Sequence, residues 1–303
     1  MAAMRKPAVI VRVPASTSNL GPGFDTLGIA LKLHNQVAIR ELDEPVVERT
    51  DAGKNSADAV ALSREAVDAF FRRSKRRPHG VQIEVKGEVP SSSGLGSSVT
   101  VRLGIMYALN ELNGRPLSDH ALLDVVSELE GHSDNAAPAL FGGFVASGMI
   151  AGTVQYRRFH VPATLKFVCC IPQYEVLTEK ARSILPKQVP LRDAVENLNR
   201  VALLTATFAT GEFSMLRGLF GDKLHQPYRK RLSPQLDDVI AAGVAAGALG
   251  GWLSGSGSSI ICLTEQKERS VAEAMAGVFA REKIRCTTQV LVADNDGTRV
   301  KRG

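Results

Sequence analysis

Aromatic residues are scarce. They make up 5% of the 303 residues, with one Trp and four Tyr, too few for the rows of stacking rings on a single-strand nucleic-acid platform. Cysteine is scarcer still: Cys169, Cys170, Cys262 and Cys286, with no Cys-x-x-Cys spacing. That excludes a disulfide framework, and the adjacent pair in an apolar run fits buried thiols in a reducing cytosol. Long hydrophobic runs are missing too. None approaches the ~18–20 residues of a membrane span, the longest being broken by Arg, Gly or Pro. Met1–Pro7 has no apolar signal core behind its basic residues, which speaks against secretion. A soluble, cytoplasmic protein without membrane contact is expected.

What is present is an ordinary globular composition, 44% hydrophobic and 22% charged, in a length that suits two domains. Lys and Arg outnumber Asp and Glu by 37 to 31, a net charge of +6. Five cations, Arg72, Arg73, Lys75, Arg76 and Arg77, crowd one stretch after an apolar helical pattern. A nucleic-acid footprint is one reading of such a run. A solvated helix end, where cations suit the dipole, is the better one, and no aromatic residue interleaves with it.

Val9–Pro14 and Asn35–Glu41 read as strands, with a Ser-, Asn- and Gly-rich segment between them. Residues 57–71 have helical spacing and 81–85 alternate as a strand. A Gly/Ser loop over 88–98 then enters a helix over 99–112. Ser118 is the N-cap of a helix over 117–130. Strands follow at 142–147, 153–159 and 166–171. Pro162 and Pro172 punctuate this region, and the domain boundary is placed between residues 155 and 165. The second half reads helix 178–185, helix 192–210, helix 212–220, helix 234–247, strand 258–263, helix 267–282 and strand 287–293. The irregular interleaving predicts two α+β layers rather than a doubly wound sheet.

Three loops carry the chemistry. Pro90-Ser91-Ser92-Ser93-Gly94-Leu95-Gly96-Ser97-Ser98 follows a strand and runs into a helix. Its glycines let the backbone approach a ligand, and the helix start offers free N–H groups to an anion such as phosphate. It contains no Gly-Lys-Ser/Thr, so it is not a Walker A loop, and Val99 stands where the dinucleotide fingerprint has its third Gly. The other two are Pro14–Asp25, with Asn19 and Asp25, and the glycine-rich 247–259, with Gly255, Ser256 and Gly257. Glycine-rich loops in both halves suggest a ligand held between domains.

These loops resemble the three motifs of the small-molecule kinase superfamily that includes galactokinase, homoserine kinase, mevalonate kinase and phosphomevalonate kinase. Pro-x-x-x-Gly-Leu-Gly-Ser-Ser at 90–98 matches the central motif. Pro-Ala-Ser-x-x-Asn-Leu-Gly-Pro-Gly-Phe-Asp at 14–25 is similar to the homoserine kinase signature, as are Glu130–Gly143 and Leu224–Arg229. The resemblance spans residues 8 to about 263. It departs at Val99–Arg102, where small residues are usual, and at Trp252.

The resemblance implies an N-terminal ATP-binding domain (1–160) with the left-handed βαβ fold found in ribosomal proteins, and a C-terminal ferredoxin-like α+β domain (161–303), with the ligands between them. It implies ATP-dependent phosphorylation of the L-homoserine hydroxyl on the route to threonine, and a homodimer. The nearest alternative is a sister kinase acting on a sugar, mevalonate or shikimate; a basic RNA-binding protein is a remote one. The ATP site falls on Pro90, Ser91, Ser92, Ser93, Gly94, Leu95, Gly96, Ser97, Ser98, Gly255, Ser256 and Gly257. Ser98 and Glu130, with Glu128 as alternate, would hold Mg²⁺. Thr178, Arg182 and Arg229 (alternate Arg231) would take the substrate carboxylate end. Asn19 and Asp25 would take its ammonium, and His132 and Asn135 would lie near the reacting hydroxyl. Asp25, His132 and Asn135 are the catalytic candidates.

Overall fold

A computed structural model describes residues 8–51 and 57–301. The N-terminal segment Met1–Pro7 lies outside the described residues. The chain forms two sheets, each with helices on one side. The larger contains β1 (Val9–Asn19), β2 (Gly23–Leu42), β3 (Val47–Arg49), β4 (Gly80–Gly87), β5 (Phe144–Ile150), β6 (Thr153–Phe159) and β11 (Arg299–Val300), in the order β11-β1-β2-β4-β3 with β5 on β2 and β6 on β5. The smaller contains β7 (Lys166–Pro172), β8 (Gly250–Leu253), β9 (Ile260–Thr264) and β10 (Cys286–Leu291), in the order β10-β7-β9-β8 with every pair antiparallel. That order, with helices between its first and second and its third and fourth strands, is the ferredoxin-like arrangement. The helices are α1 (Ala57–Ser74), α2 (Ser97–Leu112), α3 (Asp119–Glu130), α4 (Ala136–Phe141), α5 (Thr178–Ser183), α6 (Leu191–Thr210), α7 (Gln226–Arg229), α8 (Leu236–Ala245) and α9 (Glu268–Arg281). No helix is long and apolar enough to cross a membrane among the described residues.

The strands β1 and β2 overrun their apolar patterns. Ala15–Ser18 pair with Leu31–Gly28, so much of the segment expected as a loop is sheet. Ser16, Thr17 and Ser18 are buried there, which hydrogen bonds make tolerable. Ser16 Oγ donates to Asn135 Oδ1 at 2.9 Å and Thr17 Oγ1 accepts from Trp252 Nε1 at 2.9 Å. Serines at buried strand positions escape a reading based on hydrophobic alternation.

The glycine-rich third loop likewise contains a strand, β8. The helix expected over 212–220 is only a 3-10 turn at Phe213–Leu216; Leu216 and Phe220 are buried, and that apolar spacing suggested a full helix. Ser118 does cap α3, accepting from the Ala121 N–H at 3.2 Å. The basic stretch Arg72–Arg77 is exposed at the end of α1, whose opposite face buries Phe70 and Phe71.

One apolar cluster packs α1, α2 and α3 on the large sheet, and another packs α8 and α9 on the small one. A third lies between the sheets, combining Leu20, Leu27 and Ile29 with Phe167, Trp252 and Ile261. Trp252 is fully buried in it, stacked on Phe220 with centroids 5.1 Å apart. It therefore serves the core, in the same cluster as Leu95 of the 90–98 loop. A division at residue 160 parts the two sheets with one exception: residues 293–301 return to the first, through β11 on β1 and Asp294 N to Ala30 O at 2.9 Å. At that crossing Asn295 makes two bonds to the Val161 backbone, of 2.9 and 2.8 Å.

Trp252→Ala should cost about 3–5 kcal/mol of stability, the usual penalty for removing a large buried ring. Denaturant midpoints followed by far-UV circular dichroism check this.

Candidate active site

The three loops meet. Ser16 N donates to Leu95 O at 3.2 Å, Ser259 N to Ser93 O at 3.0 Å, and Ser254 Oγ to Gly94 O at 2.6 Å. Contact this close requires glycine at two positions. Gly94 and Gly96 have φ of +78° and +69°, and an added Cβ would stand 2.1 Å from Ser254 O and 2.4 Å from Ser16 Oγ respectively. Gly96 is also the N-cap of α2, so the helix starts at the loop with its free N–H groups presented there.

Around this junction lies a cavity of about 150 Å³ lined by Ser92–Gly94, Gly96–Ser98, Asn19, Asp25, Glu130, His132, Asp134, Thr178, Arg182, Arg229 and Ser256, among others. A larger hollow of about 990 Å³ borders the same loop, sharing Ser92, Ser97 and Ser98 and bounded by Arg49, Asp58, Leu62 and Glu175. The 90–98 loop thus contributes to the lining of both chambers.

Most expected site residues converge on these chambers. Pro90, Leu95 and Gly257 line neither, a correction with plain causes. Leu95 is fully buried in the inter-sheet core, Pro90 only accepts from Ser93 Oγ, and Gly257 N bonds Ser254 O to close its own loop. Glu130 and Glu128 differ in position. Ser98 Oγ donates to Glu130 Oε2 at 3.1 Å, whereas Glu128 is exposed and faces a different hollow. Likewise Arg229 is 3% exposed within the site and Arg231 points to solvent.

The polar wiring inside the smaller chamber is dense. Arg182 grips Asp25 through two bonds of 2.8 and 3.1 Å. Burial would lower the Arg182 pKa, but these bonds and the charge of Asp25 hold it above the usual value. Arg229 has no carboxylate within ion-pair distance among the described residues; Nη1 donates to Gly255 O at 2.9 Å and Nε to Ala181 O at 3.3 Å. Burial first, and then the neighbouring Arg182 charge, push its pKa down to about 10. A buried cation without an anion is costly and suits an incoming one.

Asn135 is spent on the framework, bonding Ser16, Ser18 and Asp134. Asn19 bonds Gly255 O and the Asp25 N–H. His132 Nδ1 meets Asp134 at 2.5 Å. Burial opposes a charge on that ring, yet the Asp134 hydrogen bond and the charges of Asp134 and Asp25 raise its pKa overall.

The chain matches the descriptions "GHMP kinases N terminal domain" over residues 59–143 and "GHMP kinases C terminal" over 203–281. A homoserine kinase of Moorella thermoacetica is 41% identical over 95% of this chain and 98% of its own length. The chain belongs to the homoserine kinase family. A crystal structure of homoserine kinase from Cytophaga hutchinsonii superimposes with a TM-score of 0.88 at 31% identity, covering 99% of both chains. Mevalonate kinase from Methanococcus jannaschii shares the fold, with a TM-score of 0.68 at 15% identity over the full length of both.

Three residues of this family member escaped the sequence reading. Asp134, fully buried behind His132, had a signal in the His132-x-Asp134 spacing. Arg102 bonds Glu130 Oε1 at 2.5 Å and Glu65 at 2.6 Å; it stood out only as a departure from the family's small residues. His225, fully buried against Phe24, had no signal beyond its motif.

The His132–Asp134 pair sets a pH signature. A histidine with a raised folded pKa stabilises the fold fully below its unfolded value of about 6.5 and loses that contribution as pH rises through the folded value. NMR titration should place His132 above that reference. Asp134→Asn should drop it below, since burial then dominates.

Proposed function

We propose that this protein transfers the γ-phosphoryl group of ATP to the hydroxyl of L-homoserine, giving O-phospho-L-homoserine and ADP in threonine biosynthesis. The observation that carries this reading is the pair of cations, Arg182 and the anion-free buried Arg229, at the far end of a chamber walled by the phosphate loop. A planar guanidinium takes a carboxylate bidentately. A sugar or polyol would leave the buried Arg229 without an anion, Arg182 being already paired with Asp25. The size of the larger chamber suits the nucleotide, and the shared wall of Ser97, Ser98 and the start of α2 suits its terminal phosphates.

In this reading the substrate carboxylate binds Arg229 and Arg182, and Asp25, with the backbone fixed by Asn19, takes the ammonium. Thr178, whose Oγ1 lies 3.5 Å from Ser256 Oγ, closes the opening. The hydroxyl oxygen forms the new bond to phosphorus while the bond to the ADP oxygen breaks, and the hydroxyl proton leaves through an oxygen of the transferred phosphoryl group to solvent. Such transfer asks for alignment and charge neutralisation more than covalent participation. His132, whose pKa the Asp134 hydrogen bond and charge raise against burial, would lie beside the reacting hydroxyl. Asn135 acts by holding the Ser16 and Ser18 backbone.

Ser98 and Glu130 offer a hydroxyl and a carboxylate oxygen side by side, the hard donors Mg²⁺ prefers. With Arg102 occupying the other Glu130 oxygen, this set fits one divalent cation shared with phosphate. When bound, it would neutralise phosphate charge.

We also read the protein as a cytoplasmic homodimer. The exposed Leu191, Val195, Leu198 and Leu203 on α6 support an association face, and the buried reduced thiols support the compartment. Sedimentation should give twice the chain mass of 32.5 kDa; a purely monomeric species at micromolar concentration would argue against it.

ADP release measured with homoserine, mevalonate, galactose, shikimate and threonine should be greatest with homoserine. Turnover much faster with any other acceptor would sink the assignment. Gly96→Val should abolish binding of a non-hydrolysable ATP analogue in calorimetry, because the branched side chain would meet Ser16 and resist positive φ. Such strain costs about 1–3 kcal/mol, so thermal melts should still show a folded protein.

A further inference from the structure

Arg229 is held in place by a histidine that touches neither chamber. His225 is fully buried, and both ring nitrogens are committed. Nε2 lies 2.8 Å from the Gly21 carbonyl oxygen, which can only accept, so this nitrogen carries the proton. Nδ1 is then a lone-pair acceptor, and it faces Arg229 Nη1 at 3.3 Å.

Asp222 anchors the segment. Its carboxylate accepts from the N–H groups of Leu224, His225 and Gln226 at 2.9, 2.9 and 2.6 Å, and from Asn197 Nδ2 at 2.8 Å. The imidazole stacks on Phe24, 5.2 Å between centroids. The Arg229 and Arg182 guanidinium groups lie 5.1 and 5.6 Å from the same ring centroid. Burial pushes the His225 pKa down to about 4, against the opposing Asp222 charge and with the help of the Arg229 charge. A neutral ring suits an acceptor beside an arginine.

We propose that His225 is a positioning residue for substrate recognition: the Gly21 carbonyl fixes its Nε2–H tautomer, and the freed Nδ1 then holds the Arg229 guanidinium at the carboxylate end of the chamber. This rests on Arg229 being the carboxylate clamp. Both the carbonyl of Gly21 and the ring of Phe24 belong to the first glycine loop. His225 thereby links the loop carrying Asn19 and Asp25 to the helix carrying Arg229, and the two halves of an amino-acid site are set by one side chain.

Two variants separate the ring nitrogens. In general an Asn amide oxygen occupies the place of Nδ1, and a Gln side chain reaches the place of Nε2. His225→Gln should raise the homoserine KM about 10- to 100-fold, as expected for a lost hydrogen bond to a charged group, leaving the ATP KM within about twofold. His225→Asn, which restores an acceptor to Arg229, should recover much of that loss.

The methyl ester of homoserine supplies the readout that a general structural defect would not reproduce. Lacking the anion, it should be a poor substrate for the wild type and lose little further with His225→Gln, a non-additivity expected only for coupled groups. Equal rises in both KM values, or the same penalty with the ester, would overturn the positioning role. Arg229→Met tests the underlying reading separately. An unchanged homoserine KM there removes the clamp and this proposal with it, whereas a large rise alongside a silent, folded His225→Gln removes this proposal alone. Should the variants not fold, ¹⁵N NMR of the wild-type protein decides. A protonated Nε2 and bare Nδ1 at neutral pH are expected, and a protonated Nδ1 would refute the arrangement.

Discussion

The site depends on how closely three backbone segments can approach. Residues 93–96 run between the first loop and the third with their carbonyls accepting from both, and the space for side chains at Gly94 and Gly96 is taken by Ser254 and Ser16. Each segment comes from a different place in the chain: the end of β1, the start of α2 and the turn after β8. Both chambers are lined by Ser92, Ser97 and Ser98 at the ends of this segment, none of them a cation.

The charges around this junction are supported by partners. His132 relies on a fully buried Asp134, Glu130 on Arg102, and Arg229 on a neutral histidine. Arg102 and His225 do this from outside the chamber, whereas Asp134 lines it beside His132. Dense hydrogen bonding of this kind makes a low-dielectric site rigid, and it makes the loss of any single partner expensive. Asn135 illustrates the difference between lining a site and acting in it: its amide is consumed by Ser16, Ser18 and Asp134, and its contribution is the shape of the first loop.

Much of this was legible in advance because glycine and serine are informative where a ligand must come close. The 90–98 loop, its strand before and helix after, and the pairing of Arg182 with Arg229 were readable from residue types and from the family pattern. The strand character of residues 15–19 was not, since its buried side chains are hydroxyls satisfied by Asn135 and Trp252, partners more than a hundred residues away. Nor was β8, whose Gly-Gly-Trp-Leu begins with residues that signal a turn. The Asp25–Arg182 pairing was equally hidden, because each residue alone looked like a contact for substrate. Long-range polar satisfaction has no local signature, and the misses cluster there.

The chain ends where it began. With β11 paired to β1, the small sheet and its helices form an excursion from the large sheet instead of an appendix to it. The excursion leaves at Val161 and returns at Asn295, and those two residues clasp each other with a reciprocal pair of hydrogen bonds. A polymer loop of that length loses most of its closure entropy once its ends are joined, and lengthening it further costs little. The clasp therefore acts as a knot at the neck of a purse. It fixes both ends of the second unit to one point on the first, and it leaves insertions within that unit nearly free of topological penalty, while a change at the neck is felt by the whole molecule.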